Sequence, residues 1–383
     1  MGSKTILGSM LGWVYRDEPS RIRIRRDKER RQREANRAAW GHISGHRSSV
    51  ARFVTVERIE RETPDTLSLY LLTEDPAPVH YRPGQFLTCC FVIDGEERRR
   101  AYSLSAPAEH GRLRITVKHL PEGRVSAFIH ESLKVGDRFR ILGPSGDFVL
   151  TPDIHRAVFI AAGAGITPIR GLLEVLLQRE GDAPVTLIYA SRDEDSIIFR
   201  DELDALSRSH PALTLHYILS QPTKRWQGAS GRLDEARLSA LLDGLDDSGR
   251  THYFLCGPEG FLTMARQSLR ALSVSSDRRH EEHFRAAAES TAARPTAAQT
   301  VHFERSGRTV EVAPGRSILE AGLAAGLPLS FSCQVGGCGH CRLKVIEGDV
   351  VSDQPNSLSP EEYRQGYRLA CLSYPCNETR VDA

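Results

Sequence analysis

The sequence lacks the long apolar run, about 20 residues, that a membrane-spanning helix requires. Its first apolar stretch, around Ile6–Val14, is short and is interrupted by glycines and Ser9, so we expect no secretory signal peptide. The charges nearly cancel, with 51 Lys and Arg against 49 Asp and Glu, which gives no global argument for a nucleic-acid partner. The remaining composition is ordinary for a globular protein, and 383 residues are enough for two or three domains.

Four of the eight cysteines stand in a pattern typical of an iron–sulfur site. Three have the spacing C-x4-C-x2-C and the fourth follows at a distance: Cys333, Cys338, Cys341 and Cys371. This is the plant-type ligand pattern of a 2Fe-2S cluster. The glycines between them allow sharp bends and a close approach of N–H groups to the sulfurs. The alternatives are a zinc site, which usually pairs its cysteines two and two, and a disulfide framework, which needs an oxidising compartment.

The other cysteines are expected to be packing or local residues. Cys89, Cys90 and Cys256 stand in apolar or turn contexts, and Cys376 is five residues past the fourth cluster cysteine. A chain with half of its cysteines in a cluster and the others in packing or local roles fits a reducing compartment, so we expect a cytoplasmic protein.

Residues 1–48 form a basic N-terminal arm that differs from the rest of the chain. The segment RDEPSRIRIRRDKERRQREANRAAW is dense in Arg with interspersed acids, which predicts a solvated helix or a partly disordered arm. A functional interpretation is docking to a partner or to a membrane surface, with Leu11, Trp13 and Val14 as apolar contacts. A solvated tail is the alternative.

Residues 49–152 consist of short alternating runs that are broken by Pro and Gly. The runs are FVTVERIE, TLSLYLLT, QFLTCCFVI, RAYSLS, RLRITVKHL and DRFRILGPSG. Six such segments in about 100 residues predict a small antiparallel β-barrel.

Residues 153–284 alternate buried strands with helices. The predicted strands are AVFIAAGAGI, VTLIYASR, LTLHYILS and THYFLCGPEG, and the predicted helices are PIRGLLEVLLQRE, DELDALSRSH and FLTMARQSLRAL. This alternation predicts a parallel sheet with crossover helices. Residues 285–299, rich in Ala, Ser, Thr and Pro, are a predicted linker. Residues 300–383 then form a small domain of two strands, a short helix and the cysteine loop.

The turn after the first predicted strand of the parallel sheet is a candidate nucleotide site. Gly163 and Gly165, with Ala164 between them, allow the backbone to pass close to a pyrophosphate, and Thr167 lies in the helix start that follows. The spacing is G-x-G-x-x-P, which is not the complete dinucleotide fingerprint.

Two further strand ends carry candidate residues, since ligands bind at the carboxyl ends of such strands. Ser191 and Arg192 end the second strand. Arg192 could hold a 2′-phosphate, which favours NADPH, whereas the acids beside it favour NADH, and a plain surface turn is the alternative. The Cys256–Gly257–Pro258 turn would let backbone approach a flat ring, although Cys256 alone is more often a packing residue.

The barrel carries a second group of candidate residues. Alternation in RAYSLS places Arg100 and Tyr102 on one face, where Tyr102 can stack on a planar cofactor and Ser103 can donate a hydrogen bond. In GRVS we expect Ser126 to be the N-cap of a helix, which makes a second anion site. Taken singly, each of these residues is also usual on a strand surface or at a cap.

Together, RAYSLS, GRVS, GPSGDF, GAGITPI and CGPEGF occur in the order found in the ferredoxin–NADP⁺ reductase superfamily, which the chain resembles. With a C-terminal plant-type ferredoxin domain, residues 50–383 are similar to the reductase components of multicomponent oxygenases, such as phenylacetyl-CoA oxygenase and ketosteroid 9α-hydroxylase, and to the electron-transfer partners of acyl-CoA desaturases. The arm at 1–48 is a departure from that pattern.

The resemblance implies FAD in the barrel, a nicotinamide nucleotide in the α/β domain and a β-grasp fold for the ferredoxin domain. It implies catalytic roles for Tyr102, Ser103, Cys256 and Phe284, the last as an aromatic against the flavin. The implied cofactor contacts are Arg100, Ala101, Tyr102, Ser103, Val117, Lys118, His119, Gly123, Arg124, Val125, Ser126, Gly163, Ala164, Gly165, Thr167, Ser191, Arg192, Cys256, Gly257 and Pro258.

We therefore expect an NAD(P)H-dependent oxidoreductase that passes electrons through FAD and a 2Fe-2S cluster to an oxygenase, hydroxylase or desaturase. A hydride carries two electrons and the cluster takes one, so a flavin must stand between them. Plant-type clusters lie near about −400 mV, which favours another iron protein as acceptor. The linker would let the cluster domain swing. The alternatives are a different acceptor, such as a haem or hybrid-cluster protein or a quinone, and a redox-sensing regulatory module.

Overall fold

The computed structural model describes residues 51–75, 79–107, 112–179, 184–245, 250–284, 294–331, 333–353, 356–358 and 360–383. The predicted basic arm lies outside these residues, and so does most of the predicted linker. Within the described part of the chain, every helix is too short or too polar to cross a membrane.

The first domain is a closed antiparallel barrel, as predicted. Its strands are β1 (Ala51–Thr63), β2 (Thr66–Thr73), β3 (Phe86–Ile93), β4 (Glu96–Ser103), β5 (Arg112–Lys118) and β6 (Arg138–Ser145), and its helix is α1 (Arg124–Glu131). The strands lie in the order β4-β3-β6-β1-β2-β5. A bridge between Leu104 and Ile115 joins the two ends of the sheet. Alternate side chains such as Val54 and Leu69 point into a fully buried core, as the period of two requires.

The second domain is a parallel sheet covered by helices. Its strands are β7 (Ala157–Ala162), β8 (Val185–Ser191), β9 (Leu213–Leu219), β10 (Ala229–Ser230), β11 (His252–Cys256) and β12 (Arg279–Glu282). Its helices are α2 (Ile166–Leu177), α3 (Arg200–Ser209), α4 (Glu235–Leu242) and α5 (Glu259–Ala271). The order β10-β9-β8-β7-β11-β12 puts the topological switch between β7 and β11, where ligands bind in such sheets.

Three elements of this domain are missing from the sequence prediction. The strands β10 and β12 are short edge strands, and β12 has the sequence RHEE, which offers no apolar residue to reveal it. Helix α4 spans only eight residues and buries two of them, Leu238 and Leu242. Periodicity is a weak signal over such short segments.

The third domain holds the cysteine loop among seven short strands and two short helices, so the prediction of two strands and one helix is too simple. Its strands are β13 (Gln299–Phe303), β14 (Arg308–Val312), β15 (Arg342–Glu347), β16 (Val350–Ser352), β17 (Tyr367–Leu369), β18 (Ser373–Pro375) and β19 (Thr379–Val381), and its helices are α6 (Ile318–Ala324) and α7 (Pro360–Arg364). The main sheet has the order β14-β13-β19-β15-β17. Helix α6 begins with a capping box in which Ser317 and Glu320 exchange hydrogen bonds with each other's backbone N–H, a strong start signal.

Candidate active site

The glycine turn after β7 has one open position and one packed position. It forms a single 3-10 turn, Gly163–Gly165. Gly163 has a φ of +53° and free space around the position of a Cβ. Gly165 is needed for packing, because a Cβ there would lie 2.0 Å from the carbonyl oxygen of Cys256. Thr167 fixes the turn by donating its hydroxyl to the carbonyl of Ala164 at 2.9 Å. A phosphate therefore has room at the first glycine.

The Cys-Gly-Pro turn at the end of β11 lies beside that glycine turn. Cys256 is completely buried, and burial raises the pKa of its thiol well above the ordinary value. A Cβ on Gly257 would lie 2.8 Å from the ring of Phe261 and 3.0 Å from the Cβ of Ala162. Pro258 directly precedes α5. The thiol is thus a neutral group in the core, and its catalytic role stays a prediction.

At the end of β8, the guanidinium of Arg192 is exposed while the neighbouring acids are engaged. The side chain of Arg192 is 65% exposed and pairs with Asp193 at 2.8 Å. Asp193 also accepts a hydrogen bond from the Ser196 hydroxyl at 2.5 Å. Glu194 accepts one from the N–H of Thr223 at 3.0 Å. Both carboxylates are therefore held by protein groups.

Two more cations lie on the loop after β9. Lys224 and Arg225 are exposed, and the N–H of Gln221 donates to the carbonyl of Arg192 at 2.7 Å, which joins this loop to the end of β8. Ser191 belongs to the same region and donates its hydroxyl to a carbonyl of the neighbouring turn at 2.9 Å. We call this region, at the carboxyl ends of β8 and β9 in the parallel sheet, the basic rim.

Four of the predicted flavin contacts are consecutive residues of β4. Arg100 donates to the carbonyl of Arg99 at 2.8 Å. Tyr102 packs against the barrel core, and burial raises the pKa of its phenol above the ordinary value. Ser103 is buried. Ala101 packs against residues of the cysteine loop, so the opposite faces of this strand serve two different parts of the molecule.

The predicted contacts at the end of β5 have side chains that are already engaged. Val117 lies in the barrel core. The Nζ of Lys118 lies 2.8 Å from Asp65, and the ring of His119 packs edge-on against His130 with 5.3 Å between centroids. The contact of these residues with a cofactor stays a prediction, and for Val117 and Lys118 it would have to use the backbone.

The GRVS segment forms the start of α1, but the predicted N-cap is wrong. The helix begins at Arg124, so Gly123 occupies the N-cap position. Ser126 lies in the first turn, where its hydroxyl donates to the carbonyl of Gly123 at 2.9 Å and accepts from the N–H of Leu120 at 3.1 Å. A Cβ on Gly123 would lie 2.4 Å from that hydroxyl, so a larger residue there would displace the Ser126 side chain. Val125 points into the core and Arg124 is exposed.

The four predicted cluster cysteines lie together in two pairs. The sulfurs of Cys341 and Cys371 are 3.2 Å apart. In the other pair, the N–H of Cys333 donates to the sulfur of Cys338 at 3.4 Å. A hydrogen bond from the Cys333 thiol lowers the pKa of the Cys338 thiol.

The loop backbone turns its N–H groups toward sulfur. Val335 and Gly337 donate to the sulfur of Cys333 at 3.4 and 3.3 Å. Gly336 and Gly339 both have a φ of +75°, a conformation that glycine adopts without strain. Four thiols with N–H donors on the sulfur are the donor set of a 2Fe-2S cluster, so these residues fit that group.

The cysteine loop is docked on the barrel. The hydroxyl of Thr88, on β3, donates to the carbonyl of Cys333 at 2.8 Å. Arg99, on β4, pairs with Glu320 of α6 at 2.9 Å. A small apolar cluster fills the contact, with members from both domains: Phe86, Ala101, Cys333, Val335 and Cys338.

A third polar contact closes the edge of this interface. His340 lies between two cluster cysteines, and its Nε2 is 2.9 Å from the carboxylate of Asp147, which follows β6. The barrel therefore contacts the loop from three of its segments.

Glu282 is a functional candidate that the sequence prediction missed. It ends β12, in register with Cys256 of β11. Burial raises its pKa to about 7, and the charges of Cys338 and Asp147 act in the same direction. It therefore lies where the nucleotide sheet, the barrel and the cysteine loop meet. Phe284, two residues later, is 48% exposed. The signal available in the sequence was the carboxylate two positions before Phe284, on the same side of an extended segment.

Three protein families match the chain, one in each domain. An oxidoreductase FAD-binding domain matches residues 54–150, an oxidoreductase NAD-binding domain matches residues 159–267, and a 2Fe-2S iron–sulfur cluster binding domain matches residues 301–376. These matches support FAD, NAD(P)H and a 2Fe-2S cluster as the cofactors.

Two relatives that match over most of their length have names that place them in oxygenase systems. One of the proteins that form 1,2-phenylacetyl-CoA epoxidase in Escherichia coli is 33% identical over 335 residues, which cover 84% of this chain and 94% of that one. The ferredoxin reductase component of 3-ketosteroid-9-alpha-monooxygenase from Rhodococcus rhodochrous is 31% identical, with 87% and 96% covered. The structure of phthalate dioxygenase reductase aligns with a TM-score of 0.60 at 27% identity, with 86% and 97% covered.

Proposed function

The chain belongs to the family of reductase components of multicomponent oxygenases. From this premise we propose which residues bind each cofactor, which nucleotide the protein uses and which acceptor it reduces. It is an NAD(P)H-dependent oxidoreductase that transfers electrons through FAD and a 2Fe-2S cluster. The observation that carries the proposal is the Thr88–Cys333 hydrogen bond of 2.8 Å, which joins the barrel directly to the first cluster cysteine.

The cofactors supply the redox chemistry: FAD takes the two electrons of a hydride and the cluster accepts them one at a time. The residues of the chain hold these cofactors and the nucleotide in position. The turn at Gly163 and the start of α2 bind the pyrophosphate of the nucleotide, because the first glycine is open and a helix N-terminus favours an anion. The backbone at Gly257 and the carboxyl of Glu282 flank the nicotinamide. Tyr102 packs against the flavin ring on the barrel side.

The remaining assigned residues complete these sites in the proposal. The start of α1 at Gly123–Ser126 binds the flavin pyrophosphate, supported by the N–H groups that the first turn of a helix directs toward an anion. Phe284 covers the flavin from the nucleotide side, supported by its exposure at the end of β12. The cluster ligands are Cys333, Cys338, Cys341 and Cys371, supported by their pairing.

We propose NADPH as the preferred nucleotide. The guanidinium of Arg192 is exposed, and Lys224 and Arg225 stand on the adjoining loop. An acid that hydrogen-bonds a free ribose favours NADH, but Asp193 and Glu194 are already occupied by Ser196 and Thr223. A phosphate on the ribose would meet the basic rim.

Anaerobic stopped-flow spectroscopy tests the function and the nucleotide together. The purified holoprotein is mixed with NADPH and, separately, with NADH. We expect the flavin absorbance to bleach first and the cluster absorbance second, with NADPH faster. An Arg192→Ala variant should lose most of the NADPH advantage while its rate with NADH stays near wild type. A protein with cluster absorbance that neither nucleotide bleaches would refute the function.

We propose an oxygenase component as the acceptor, because the similar proteins include a constituent of an epoxidase and a component of a monooxygenase. A hydroxylase or a desaturase is the second candidate. When the reduced holoprotein is mixed with a purified oxygenase component, we expect the oxygenase to accept electrons and the cluster to become oxidised. A cluster that stays reduced with oxygenases but is oxidised by a desaturase would reverse this choice.

We also propose the domain limits 49–152, 153–284 and 300–383, joined by a linker at 285–299. The strand pairing supports these limits, because none of the four sheets contains strands from more than one of these domains. We propose a cytoplasmic protein, supported by eight cysteines that form no disulfide. We also propose that the arm at 1–48 docks on the acceptor or on an acidic membrane surface, supported by its density of Arg.

A further inference from the structure

The carboxylate of Glu202 bridges two arginines that come from two different domains. Arg114 of the barrel strand β5 reaches it with both terminal nitrogens, Nη1 to Oε1 at 2.7 Å and Nη2 to Oε2 at 3.2 Å. Arg170 of the nucleotide-domain helix α2 reaches the same Oε2 with Nε at 2.8 Å and Nη2 at 2.7 Å. Glu202 itself stands on α3. The three side chains, Arg114, Glu202 and Arg170, are called here the bridging triad.

Further contacts fix the barrel member of the triad. Arg114 is buried and donates to the carbonyl of Ser105 at 2.7 Å. Its guanidinium also lies over the ring of Phe199, 4.9 Å from the centroid. Phe199 has a φ of +61° and directly precedes α3, so an uncommon backbone conformation turns the start of that helix toward Arg114.

The triad ties together the elements that flank the two cofactor sites. Arg114 lies on β5, the strand that borders the proposed flavin site. It is three positions before Val117, which is near the end of that strand. Arg170 lies in α2, whose first residue directly follows the Gly163–Gly165 turn. A shift of α3 or α2 against the barrel would therefore move the nucleotide relative to the flavin.

We propose that Glu202 is a positioning residue for hydride transfer: through Arg114 and Arg170 it sets the distance between nicotinamide and flavin. This inference rests on the proposed function. Hydride transfer needs reacting atoms about 3–3.5 Å apart, and a misplacement of about 1 Å can cost about 100-fold in rate. A forked arginine contact on a carboxylate has a defined geometry, so it adds orientational specificity to the contact between the two domains.

The same ion network offers a matched control. Glu174 pairs with Arg170 at 2.5 Å, but both residues belong to α2. Glu174→Gln removes one carboxylate charge from the network without touching the link between the domains. Glu202→Gln removes the same charge from the link. The two variants therefore separate a change in local charge from a change in domain position.

The test is anaerobic flavin reduction at increasing NADPH in the wild type, Glu202→Gln, Glu174→Gln and Arg114→Lys. We expect Glu202→Gln to lower the limiting rate by about 10- to 100-fold, while the nucleotide concentration at half-maximal rate changes by less than about threefold. Glu174→Gln should stay within about twofold of wild type. The charge-transfer absorbance between nicotinamide and flavin should weaken in Glu202→Gln, and Glu202→Asp should restore part of the rate.

Three results would overturn the inference: an unchanged limiting rate in Glu202→Gln, an equal loss in Glu174→Gln, or a loss that appears only as weaker nucleotide binding. If Glu202→Gln does not fold, Arg114→Lys decides, because it keeps the charge but loses the fork and should slow the limiting rate with normal flavin content; a wild-type rate there overturns the inference. If NADPH and NADH both fail to reduce the wild-type flavin, the proposed function fails instead.

Discussion

Cys338 combines a lowered thiol pKa with a position on the barrel side of the cysteine loop. We expect Cys338→Ser to abolish cluster-dependent reduction of cytochrome c, because the hydroxyl is a poor replacement for a thiolate ligand of iron. NADPH-dependent reduction of ferricyanide should stay near the wild-type rate, since the flavin can supply ferricyanide directly. Steady-state assays with both acceptors measure this. Loss of both activities would show that the barrel depends on an intact cluster loop.

Glu282 should give the protein a pH-dependent stability of unusual sign. Burial raises its pKa to about 7, whereas its ordinary value is 4.5. The folded state therefore binds the proton more tightly, so this contribution to stability is complete below pH 4.5 and is lost as the pH rises toward 7. We expect Glu282→Gln to melt at the wild-type temperature near pH 4.5 but to be more stable by roughly 3 kcal/mol at pH 8. If the wild type and Glu282→Gln melt at the same temperature at pH 8 as well as at pH 4.5, this prediction is wrong.

At the scale of single residues, the sequence predicts the chemical role of a residue better than it predicts which residues contact it in the fold. The cysteine spacing is sufficient to identify the residues that the structure brings together, because ligand spacing is a local property. Gly163 and Gly165 are equivalent in the sequence pattern, yet only Gly165 faces a carbonyl oxygen, 2.0 Å from the position of its Cβ. That oxygen belongs to Cys256, far later in the chain, and no local pattern shows such a neighbour. The predicted N-cap at Ser126 is wrong because a glycine, Gly123, can also precede a helix.

At the scale of elements, the contact between β4 and α6 controls how the cluster domain sits on the barrel. Glu320 has two partners: its carboxylate accepts from the N–H of Ser317 at the start of α6 and pairs with Arg99. Burial alone would raise the pKa of Glu320, but the charge of Arg99 and the hydrogen bonds outweigh it and hold the pKa below the ordinary value. The carboxylate is therefore charged at neutral pH.

Glu320→Gln should weaken docking without unravelling the helix. A glutamine at this position still completes a capping box, but it has no charge for Arg99. Both side chains are partly exposed, so we expect a loss on the order of 1 kcal/mol, or roughly five- to tenfold in the docking equilibrium. Stopped-flow cluster bleaching should slow accordingly, while flavin bleaching is unchanged.

Glu311→Gln is the control for that experiment, because it removes a charge from an exposed position of β14 in the same domain. It should leave both bleaching phases at the wild-type rate. If the two variants behave alike, the Arg99 contact has no role in electron transfer.

The elements found from sequence are those whose period and length are visible in one stretch of chain. The six barrel strands and the alternating strands and helices of the α/β domain follow from apolar periodicity. Strand β12 does not, since its four residues are all polar and it is held by pairing with β11. Missing this strand matters for the site, because β12 carries Glu282. Polar edge strands need a neighbour to be recognised, and the neighbour is distant in sequence.

At the scale of the whole molecule, the basic arm is separable from the redox centres in our interpretation. Deleting residues 1–48 should leave NADPH–ferricyanide turnover within about twofold of wild type, because the three family matches begin at residue 54. Binding to acidic vesicles or to the acceptor should fall, since the Arg-rich segment supplies the charge. Sedimentation with vesicles and steady-state assays measure the two effects. A collapse of turnover would assign the arm to the catalytic fold.

The cysteine loop follows the nucleotide domain in the chain, yet the hydrogen bonds and ion pairs described for its docking lead back to the barrel, at Thr88, Arg99 and Asp147. Peptide connectivity and the route of the electrons are therefore independent of each other. A rearranged gene that placed the ferredoxin segment ahead of the barrel, or that encoded it as a separate polypeptide, would present the same docking faces. We therefore expect a change in fusion order to leave the contacts between the barrel and the cysteine loop intact.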